Sequence, residues 1–224
     1  MNNDIRKFRF ETLSVAVIDD HEVVLEGLRS YMFKNGLKTV EAFNSAQALL
    51  ERLSFRLFDV YVVDVELPDM NASQLIDEIR GIHPDAKIII NTMHQELWVV
   101  RKMTEKQVDG VIYKSGSLSG LLKAIEVVTG GGQYFCSEFR KSSSRVQSQH
   151  DVLSRREQEV LHAIALGKST KEIASMLYIS ESTVETHRQN LFTKLKAHNM
   201  ADVIIKAFAC GYLNPNEIIG LLPK

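Results

Sequence analysis

The chain lacks the features that mark a secreted or membrane-embedded protein. Its two cysteines, Cys136 and Cys210, are too few for a disulfide framework, so a reducing compartment is expected. The N-terminal segment is basic but has no apolar stretch of signal-peptide length, and no run approaches the roughly 18 apolar residues of a membrane span. These absences predict a cytoplasmic protein without a membrane partner.

A strong excess of charge of either sign is also missing. With 27 basic and 28 acidic residues, the net charge at pH 7 is −1. A balance this close to neutral does not by itself indicate a nucleic-acid-binding protein. Any such function must therefore be inferred from motifs.

Short apolar runs alternate with helical patterns through the first 130 residues. The strand-like runs are residues 14–18, 38–43, 59–63, 86–90 and 109–113. A helical stretch follows each run; in the first, Val23, Val24, Gly27, Leu28 and Tyr31 recur at helical spacing. This alternation predicts an α/β doubly wound, five-stranded parallel sheet with helices on both faces. In such a sheet, ligands bind beyond the carboxyl ends of the strands.

The periodicity fails between Gly130 and His150. Clusters of Gly, Ser and Gln in this stretch predict a linker, with a short ordered piece around Tyr134 and Phe135. The pattern is helical from there to the C-terminus. The predicted organisation is a domain over 1–130, a linker over 131–150 and a small all-α domain over 151–224.

Capping signals divide the C-terminal domain into helices. Ser154 with Glu157 and Ser169 with Glu172 are S-x-x-E capping boxes, and each precedes an apolar-periodic run. Asn199 is predicted to cap a further helix that carries Val203, Ile204, Ala207 and Phe208.

Polar residues stand at four predicted strand ends of the first domain: Asp19 and Asp20, Asp64, Thr92, and Lys114. Because parallel strands share one carboxyl edge, these side chains are expected to meet there. Three neighbouring carboxylates cannot all stay ionised without a counter-charge, and Mg²⁺ with its oxygen ligands supplies one. An aspartate beside such an ion can act as a nucleophile and form an aspartyl phosphate.

Each of these residues has a structural alternative when it is taken alone. Asp19 and Asp20 could cap the helix that follows, and Thr92 with Gln95 forms a T-x-x-Q capping box. Asp64 could be a turn acid before Pro68, and Lys114 could simply be solvated. The convergence of four strand ends on one edge favours a functional site over these alternatives.

Residues 169–195 have the pattern of a helix-turn-helix. Their first helix would bury Ile173, Ala174 and Leu177, a short turn follows at Tyr178 and Ile179, and Ser180 would cap the second helix. Val184, Leu191 and Leu195 form an apolar stripe on that second helix, and its other face is polar. A polar outer face suits a recognition helix in a DNA major groove, although an ordinary amphipathic helix pair also fits the periodicity.

Residues 14–130 resemble the flavodoxin-like receiver domain of two-component response regulators, through "VIDD", "VVDVELPDMNA", "IIINTMH" and "DGVIYK". The resemblance implies that Asp64 is the phosphoacceptor and that a sensor histidine kinase is the phosphodonor. It further implies that Asp19, Asp20, Asp64 and the backbone carbonyl of Glu66 bind Mg²⁺ (or Mn²⁺). Thr92 and Lys114 would contact the phosphoryl group.

The first domain departs from that family at two places. Asn71-Ala72 stands where the family often has Asp-Gly or Asn-Gly, which is expected to alter only the loop after Pro68. Val111 occupies the position of the family's switch aromatic, three residues before Lys114. The second departure puts the usual coupling between the threonine and an aromatic side chain in question.

Residues 153–207 resemble the LuxR-type DNA-binding domain over essentially its whole length. The resemblance implies four helices, with 181–195 as the recognition helix and a helix near 201–209 as the dimer face. It places Glu185, Thr186 and Gln189 at the major groove. The residues it implies as phosphate contacts are Lys171, Thr183, Arg188 and Lys194.

Together the two resemblances identify the chain as a response regulator of the NarL type, a DNA-binding transcription factor rather than an enzyme. Its expected partners are a histidine kinase, double-stranded DNA and, when active, a second copy of itself. Three alternatives stay open: an orphan regulator that binds DNA without phosphorylation, an aspartyl-phosphate phosphohydrolase, and a pure protein-interaction module.

Overall fold

The structure is a computed structural model that describes residues 10–147, 153–215 and 218. Its contacts divide the chain into two units, one of residues 1–95 with 102–141 and one of residues 96–101 with 142–224. The far end of the predicted linker and the start of the predicted C-terminal domain, residues 148–152, lie outside the described residues. Every helix within the described ranges is too short or too polar to cross a membrane.

A six-stranded sheet forms the centre of the first unit. Its strands are β1 (Ser14–Ile18), β2 (Thr39–Phe43), β3 (Val60–Val63), β4 (Lys87–Thr92), β5 (Gly110–Tyr113) and β6 (Tyr134–Phe135). All neighbours are parallel and the order is β2-β1-β3-β4-β5-β6. The doubly wound parallel sheet predicted from the sequence is confirmed, with one short strand added to the predicted five.

Helices connect these strands and cover the sheet. They are α1 (Glu22–Lys34), α2 (Ala46–Leu53), α3 (Ala72–Ile82), α4 (Leu97–Glu105), α5 (Leu118–Thr129) and α6 (Ser137–Gln147). All four residues of β3 are buried, because apolar side chains must fill both faces of a covered parallel strand. One core cluster joins α1 and α5 to the sheet through residues such as Leu28, Val62, Ile89 and Leu121.

The sixth strand depends on Gly110. A Cβ at this position would lie 3.0 Å from the carbonyl oxygen of Tyr134, so only glycine lets the two backbones pair this closely. The pairing continues where the Cys136 N–H donates to the Val111 carbonyl over 3.0 Å. A two-residue strand is too short to produce a recognisable periodicity.

Most of the predicted linker is also helical, as α6 begins only two residues after β6. Its sequence, SEFRKSSSRVQ, has few apolar residues, so no helical stripe is visible from the pattern alone. Tertiary contact decides its conformation: Phe139 is buried, and its ring stacks on Phe135 with centroids 5.3 Å apart.

Within the described residues 153–215 of the second unit lie four helices: α7 (Arg155–Ala165), α8 (Thr170–Leu177), α9 (Glu181–Lys194) and α10 (Met200–Ala209). Both predicted capping boxes are present, at Ser154 and at Ser169. Asn199 caps α10 by accepting a hydrogen bond of 2.9 Å from the Asp202 N–H. The four-helix prediction is therefore confirmed.

The apolar stripes predicted for α8 and α9 form the core of the second unit. Ile173, Val184 and Leu191 are fully buried and pack with Val203 and Ala207 of α10. Leu195 is buried as well, whereas Leu177 is only half-buried. The stripe fixes which face of α9 points outward.

A buried carboxylate links the start of α7 to the end of α9. Glu157 is 3% exposed, and its Oε2 accepts hydrogen bonds of 2.7 Å from both the Ser154 N–H and the Lys194 ammonium. Burial acts to raise the pKa of Glu157, but the bonds from Lys194 and Ser154 outweigh it and hold that pKa below its ordinary value. The contact therefore stabilises the fold above the ordinary glutamate pKa and is lost as the pH falls through the lowered one.

Replacing Glu157 with Ala should destabilise the second unit by about 2 kcal/mol, because it removes half of a capping box and the buried ion pair with Lys194. Hydrogen exchange of the α7 and α9 amides in the full chain measures this. Glu159→Ala is the matched control, since Glu159 pairs with the surface residues Arg155 and Arg156. Equal protection in the two variants would contradict the prediction.

Candidate functional site

The carboxyl ends of β1, β3, β4 and β5 are joined by backbone hydrogen bonds that continue just past the strands. The Asp64 N–H donates to the Ile18 carbonyl over 2.9 Å, and the Lys114 N–H donates to the Thr92 carbonyl over 2.8 Å. The strand order reverses around β1, which lies between β2 and β3. Asp19 and Asp64 thus stand at the topological switch point, where open α/β sheets bind their ligands.

The ammonium of Lys114 lies between two buried carboxylates. Its Nζ is 2.6 Å from Asp19 Oδ2 and 2.6 Å from Asp64 Oδ2. Asp19 is 1% exposed and Asp64 is 5% exposed. The backbone N–H of Val65 donates to the other oxygen of Asp64, Oδ1, over 2.6 Å. The Lys114 ammonium therefore bonds both of these buried carboxylates.

The charges at this edge are incompletely balanced. Burial raises the pKa of Asp64 above its ordinary value; the contact with Lys114 lowers it, the charge of Asp19 adds to the rise, and the net shift is upward. Burial acts to lower the pKa of Lys114, but its bonds to Asp19 and Asp64 raise it overall. Lys114 therefore stays charged, and a further cation could balance the negative charge that remains.

His21 joins this cluster and was not among the predicted site residues. Its Nδ1 lies 2.6 Å from Asp20 Oδ1 and 3.3 Å from Asp19 Oδ1. Ligand atoms of Asp19, Asp20, His21 and Asp64 all lie within 4.8 Å of one another. The helical periodicity of the sequence groups His21 with the helix that follows. Its position directly after two aspartates was the signal that could have identified it as a site residue.

The donor set fits a hard divalent cation. Three carboxylates converge on one edge, two of them are buried, and oxygen ligands are those that Mg²⁺ and Mn²⁺ prefer. Such an ion would add positive charge beside the Asp64 carboxylate, whose pKa is raised chiefly by burial.

Thr92 ends β4, and Glu66 lies in the loop that follows β3. Thr92 is fully buried, and its Oγ1 accepts a hydrogen bond of 3.1 Å from the His94 N–H. Helix α4 begins only at Leu97, so Thr92 and Gln95 do not cap it. The Glu66 side chain is exposed and lies 3.1 Å from His94 Nε2. Val111, at the position expected for an aromatic switch, is a fully buried strand residue.

A second candidate surface is the outward face of α9. Glu185, Thr186 and Gln189 are exposed on this helix, and Lys171 is exposed on α8. The Thr183 N–H donates to Ser180 Oγ over 3.0 Å, which confirms the predicted cap. Polar side chains of this kind can reach base edges and phosphates.

Five of the predicted DNA-contacting residues already have side-chain partners within the second unit. Thr183 Oγ1 lies 2.7 Å from Ser180 Oγ, and Thr186 Oγ1 donates to the Ser182 carbonyl over 3.0 Å. Glu185 Oε1 accepts a hydrogen bond of 2.8 Å from Thr170 Oγ1, and Arg188 Nε lies 3.6 Å from Glu185 Oε2. Lys194 holds the buried Glu157. Lys194 therefore has a structural role that sequence spacing could not reveal, because its partner is 37 residues away.

The turn between α8 and α9 contains a left-handed residue. Tyr178 ends α8 with φ 54°, and its side chain is 95% exposed. A left-handed residue after a helix satisfies the last carbonyls and redirects the chain, usually at some steric cost when it is not glycine. The predicted turn at Tyr178 and Ile179 is confirmed.

Two family models match the chain. The one described as a response regulator receiver domain matches residues 15–126, and the one described as bacterial regulatory proteins of the luxR family matches residues 151–207. The first covers the sheet edge with its carboxylates and the second covers the helix-turn-helix.

Curated relatives match over nearly their whole length. The transcriptional regulatory protein MctR of Rhizobium johnstonii is 32% identical over 205 residues, which cover 90% of this chain and 96% of that protein. The probable transcriptional regulatory protein NarL of Mycobacterium tuberculosis is 30% identical over 208 residues, covering 88% of this chain and 94% of that protein.

Solved structures share the fold. RcsB from Salmonella enterica serovar Typhimurium, bound to promoter P1flhDC in the presence of the phosphomimetic BeF₃⁻, aligns with a TM-score of 0.64 and 24% identity. The alignment covers 88% of this chain and 98% of that chain.

Replacing Asp64 with Asn should stabilise the first unit at neutral pH. The raised pKa means that the ionised carboxylate costs stability above that pKa, so its removal should raise the melting temperature by roughly 2–4 °C. Added MgCl₂ should raise the melting temperature of the native chain more than that of the variant. Asp77→Asn, at an exposed surface pair with Lys106, is the control; a less stable Asp64 variant would contradict the reasoning.

Proposed function

The chain belongs to the NarL/LuxR-type response regulators, and we propose that a phosphoryl group on Asp64 controls its binding to double-stranded DNA. The observation that carries the proposal is the Lys114 ammonium held 2.6 Å from the carboxylates of both Asp19 and Asp64. In this proposal residues 1–130 form the receiver domain, 131–150 the linker and 151–224 the DNA-binding domain. The phosphodonor is a phosphohistidine on a sensor histidine kinase.

The geometry supports phosphoryl transfer to Asp64. A carboxylate oxygen of Asp64 attacks phosphorus, the bond from phosphorus to the donor nitrogen breaks, and the leaving imidazole takes up a proton. Lys114 and the Val65 N–H position the nucleophile through both carboxylate oxygens. A Mg²⁺ ion held by Asp19, Asp20, Asp64 and the Glu66 carbonyl would neutralise charge on the phosphoryl oxygens. Thr92 donates its hydroxyl to one of those oxygens.

Phosphorylation then shifts a population between two conformations. The new group adds roughly −1.5 to −2 charge and attracts both Lys114 and the Thr92 hydroxyl. Because Val111 offers no aromatic ring, the movement passes through the ends of β4 and β5, where Thr92 and Lys114 lie. The phosphorylated chain pairs as a homodimer on an operator with two half-sites.

The α9 helix is the proposed recognition element. Glu185, Thr186 and Gln189 face the major groove, where Glu185 can accept a hydrogen bond from a cytosine amino group. Lys171, Thr183, Arg188 and Lys194 bind phosphates and set the register. With a near-neutral chain, affinity depends on these few contacts rather than on a general positive field.

A second candidate function is DNA binding that does not depend on phosphorylation. The observation that favours it is Val111, which leaves the receiver domain without the aromatic side chain expected of its switch. DNA affinity measured with and without a phosphodonor separates the two candidates, and equal affinities would support the second.

Treating the full chain with acetyl phosphate and MgCl₂ should add the mass of one phosphoryl group to the native protein and none to Asp64→Ala. Intact-mass spectrometry measures the gain. Asp77→Ala, on the exposed face of α3, is the matched control and should gain the same mass as the native chain. Phosphorylation of the Asp64 variant would refute the assignment of the acceptor.

Replacing Lys171 with Ala should weaken DNA binding about equally for all sequences and reduce the slope of log K against log salt by about 1. Gln189→Ala should instead relax base preference, at a cost of about 1–3 kcal/mol for the preferred site. Fluorescence anisotropy over a salt series measures both effects. Arg156→Ala, on the surface of α7, is the control, and a Lys171 slope equal to that of this control would contradict the phosphate contact.

A further inference from the structure

The N-terminus of α2 is bonded to a carboxylate from the loop that follows β3. Asp69 accepts the Ala46 N–H through Oδ1 over 3.0 Å and the Gln47 N–H through Oδ2 over 2.8 Å. Asp69 lies 23 residues after Ala46 in the chain. One side chain therefore uses both of its oxygens to join two separate segments of the first unit.

The contact with Asp69 is additional to the cap that α2 already has. Ser45 Oγ accepts the Ala48 N–H over 3.3 Å, and the first turn of the helix contains no acidic residue. A helix N-terminus leaves several N–H groups without intrahelical partners and favours negative charge. Asp69 satisfies two of them, and the bond from the Gln47 N–H holds the pKa of Asp69 below its ordinary value. Asp69 is therefore ionised at neutral pH.

The segment between β2 and α2 is also bonded to the loop that follows β1. Asp19 donates its backbone N–H to the carbonyl of Phe43, the last residue of β2, over 3.1 Å. Only two residues separate β2 from α2. Residues 43–47, the β2–α2 segment, therefore contact both loops that carry the proposed metal ligands. The first loop carries Asp19 and Asp20, and the second carries Asp64 and Glu66.

The chain between Glu66 and Asp69 is short and contains a proline. Two residues lie between them, and the ring of Pro68 fixes its φ, so the contacts of Asp69 limit the movement of the Glu66 carbonyl. The far end of the loop is held by Asn71, whose Oδ1 accepts the Gln74 N–H over 3.0 Å. Asp69 thus holds the middle of a loop whose two ends are already fixed by β3 and α3.

We propose that Asp69 is a positioning residue for the divalent cation, because it ties the loop after β3 to the segment that also holds Asp19. The tie sets the distance between the Glu66 carbonyl and the carboxylates of the β1 loop. Asp69 is not itself a ligand, since both of its oxygens bond the N–H groups of α2. The inference rests on the proposed function for the identity of the ligands.

Loss of the tie should weaken the binding of the cation. The freed loop would have to be ordered when the cation binds, at a cost in conformational entropy. Partners that orient metal ligands from outside typically change the affinity by roughly 10-fold to 100-fold. Because Asp69 acts through the backbone, the expected factor for its removal is smaller, about threefold to tenfold.

Titrating the ¹⁵N-labelled full chain with MgCl₂ alone, without a phosphodonor, tests the tie by NMR. The backbone amides of Asp20 and Asp64 should shift in the native chain and report its Kd for Mg²⁺. Asp69→Ala should raise this Kd about threefold to tenfold. An unchanged Kd in Asp69→Ala, or no shift at these amides in the native chain, would overturn the proposal.

Ser45→Ala is the matched control, because it removes a bond from the same helix N-terminus and leaves the contacts of Asp69 in place. Both variants should lower the protection of the α2 amides from hydrogen exchange, but Ser45→Ala should leave the Kd for Mg²⁺ unchanged. An equal rise of Kd in the two variants would assign the effect to the stability of α2 alone and overturn the proposal.

The conservative variant Asp69→Asn separates the tie from the charge. Its amide oxygen keeps one acceptor for the α2 N–H groups, so its Kd for Mg²⁺ should lie between those of the native chain and Asp69→Ala. A Kd as high as that of Asp69→Ala would assign the effect to the lost charge and contradict the positioning role. Circular dichroism confirms that each variant is folded.

Labelling by acetyl phosphate at varied MgCl₂ measures the consequence for the proposed function. Asp69→Ala should raise the Mg²⁺ concentration for half-maximal rate by the same factor as the Kd, and should change the rate at saturating Mg²⁺ much less. A loss of rate that saturating Mg²⁺ does not restore would place Asp69 in the chemical step instead. If the native chain gains no phosphoryl group, the proposed function fails, whereas the Mg²⁺ titration still decides the role of Asp69.

Discussion

The ammonium of Lys114 between Asp19 and Asp64 is the contact on which the chemistry of the first unit depends. Two carboxylates are buried at the end of a parallel sheet, and one lysine at 2.6 Å from each is their common cation. The parallel register creates this arrangement, because it brings the ends of β1, β3 and β5 to one edge. The remaining excess of negative charge forms a carboxylate cluster that could hold a metal ion.

The second unit also contains a buried carboxylate that is paired with a lysine. Glu157 is buried, caps α7 and pairs with Lys194, which holds the end of α9 against α7. The resulting orientation leaves Glu185, Thr186 and Gln189 exposed. The buried carboxylate therefore helps to fix the position of this exposed helix face.

Several elements could be predicted from local patterns. The Val- and Ile-rich runs predicted β1 to β5, and the S-x-x-E spacings predicted the starts of α7 and α8, because each signal is contained within a few residues. The sixth strand and α6 could not be predicted in this way. The strand has two residues and needs the absent side chain of Gly110, and α6 is polar and anchored by Phe139 stacking on Phe135.

The sequence by itself determined that polar residues would end four strands and that a polar helix face would follow a capped turn. It also determined the family, since the motifs around Asp64 and across residues 153–207 are contiguous. Only the tertiary structure decided that Asp64 comes within ligand distance of Asp19, Asp20 and His21, and that Lys194 is paired with Glu157. Both outcomes depend on contacts between elements far apart in the chain, which no local periodicity encodes.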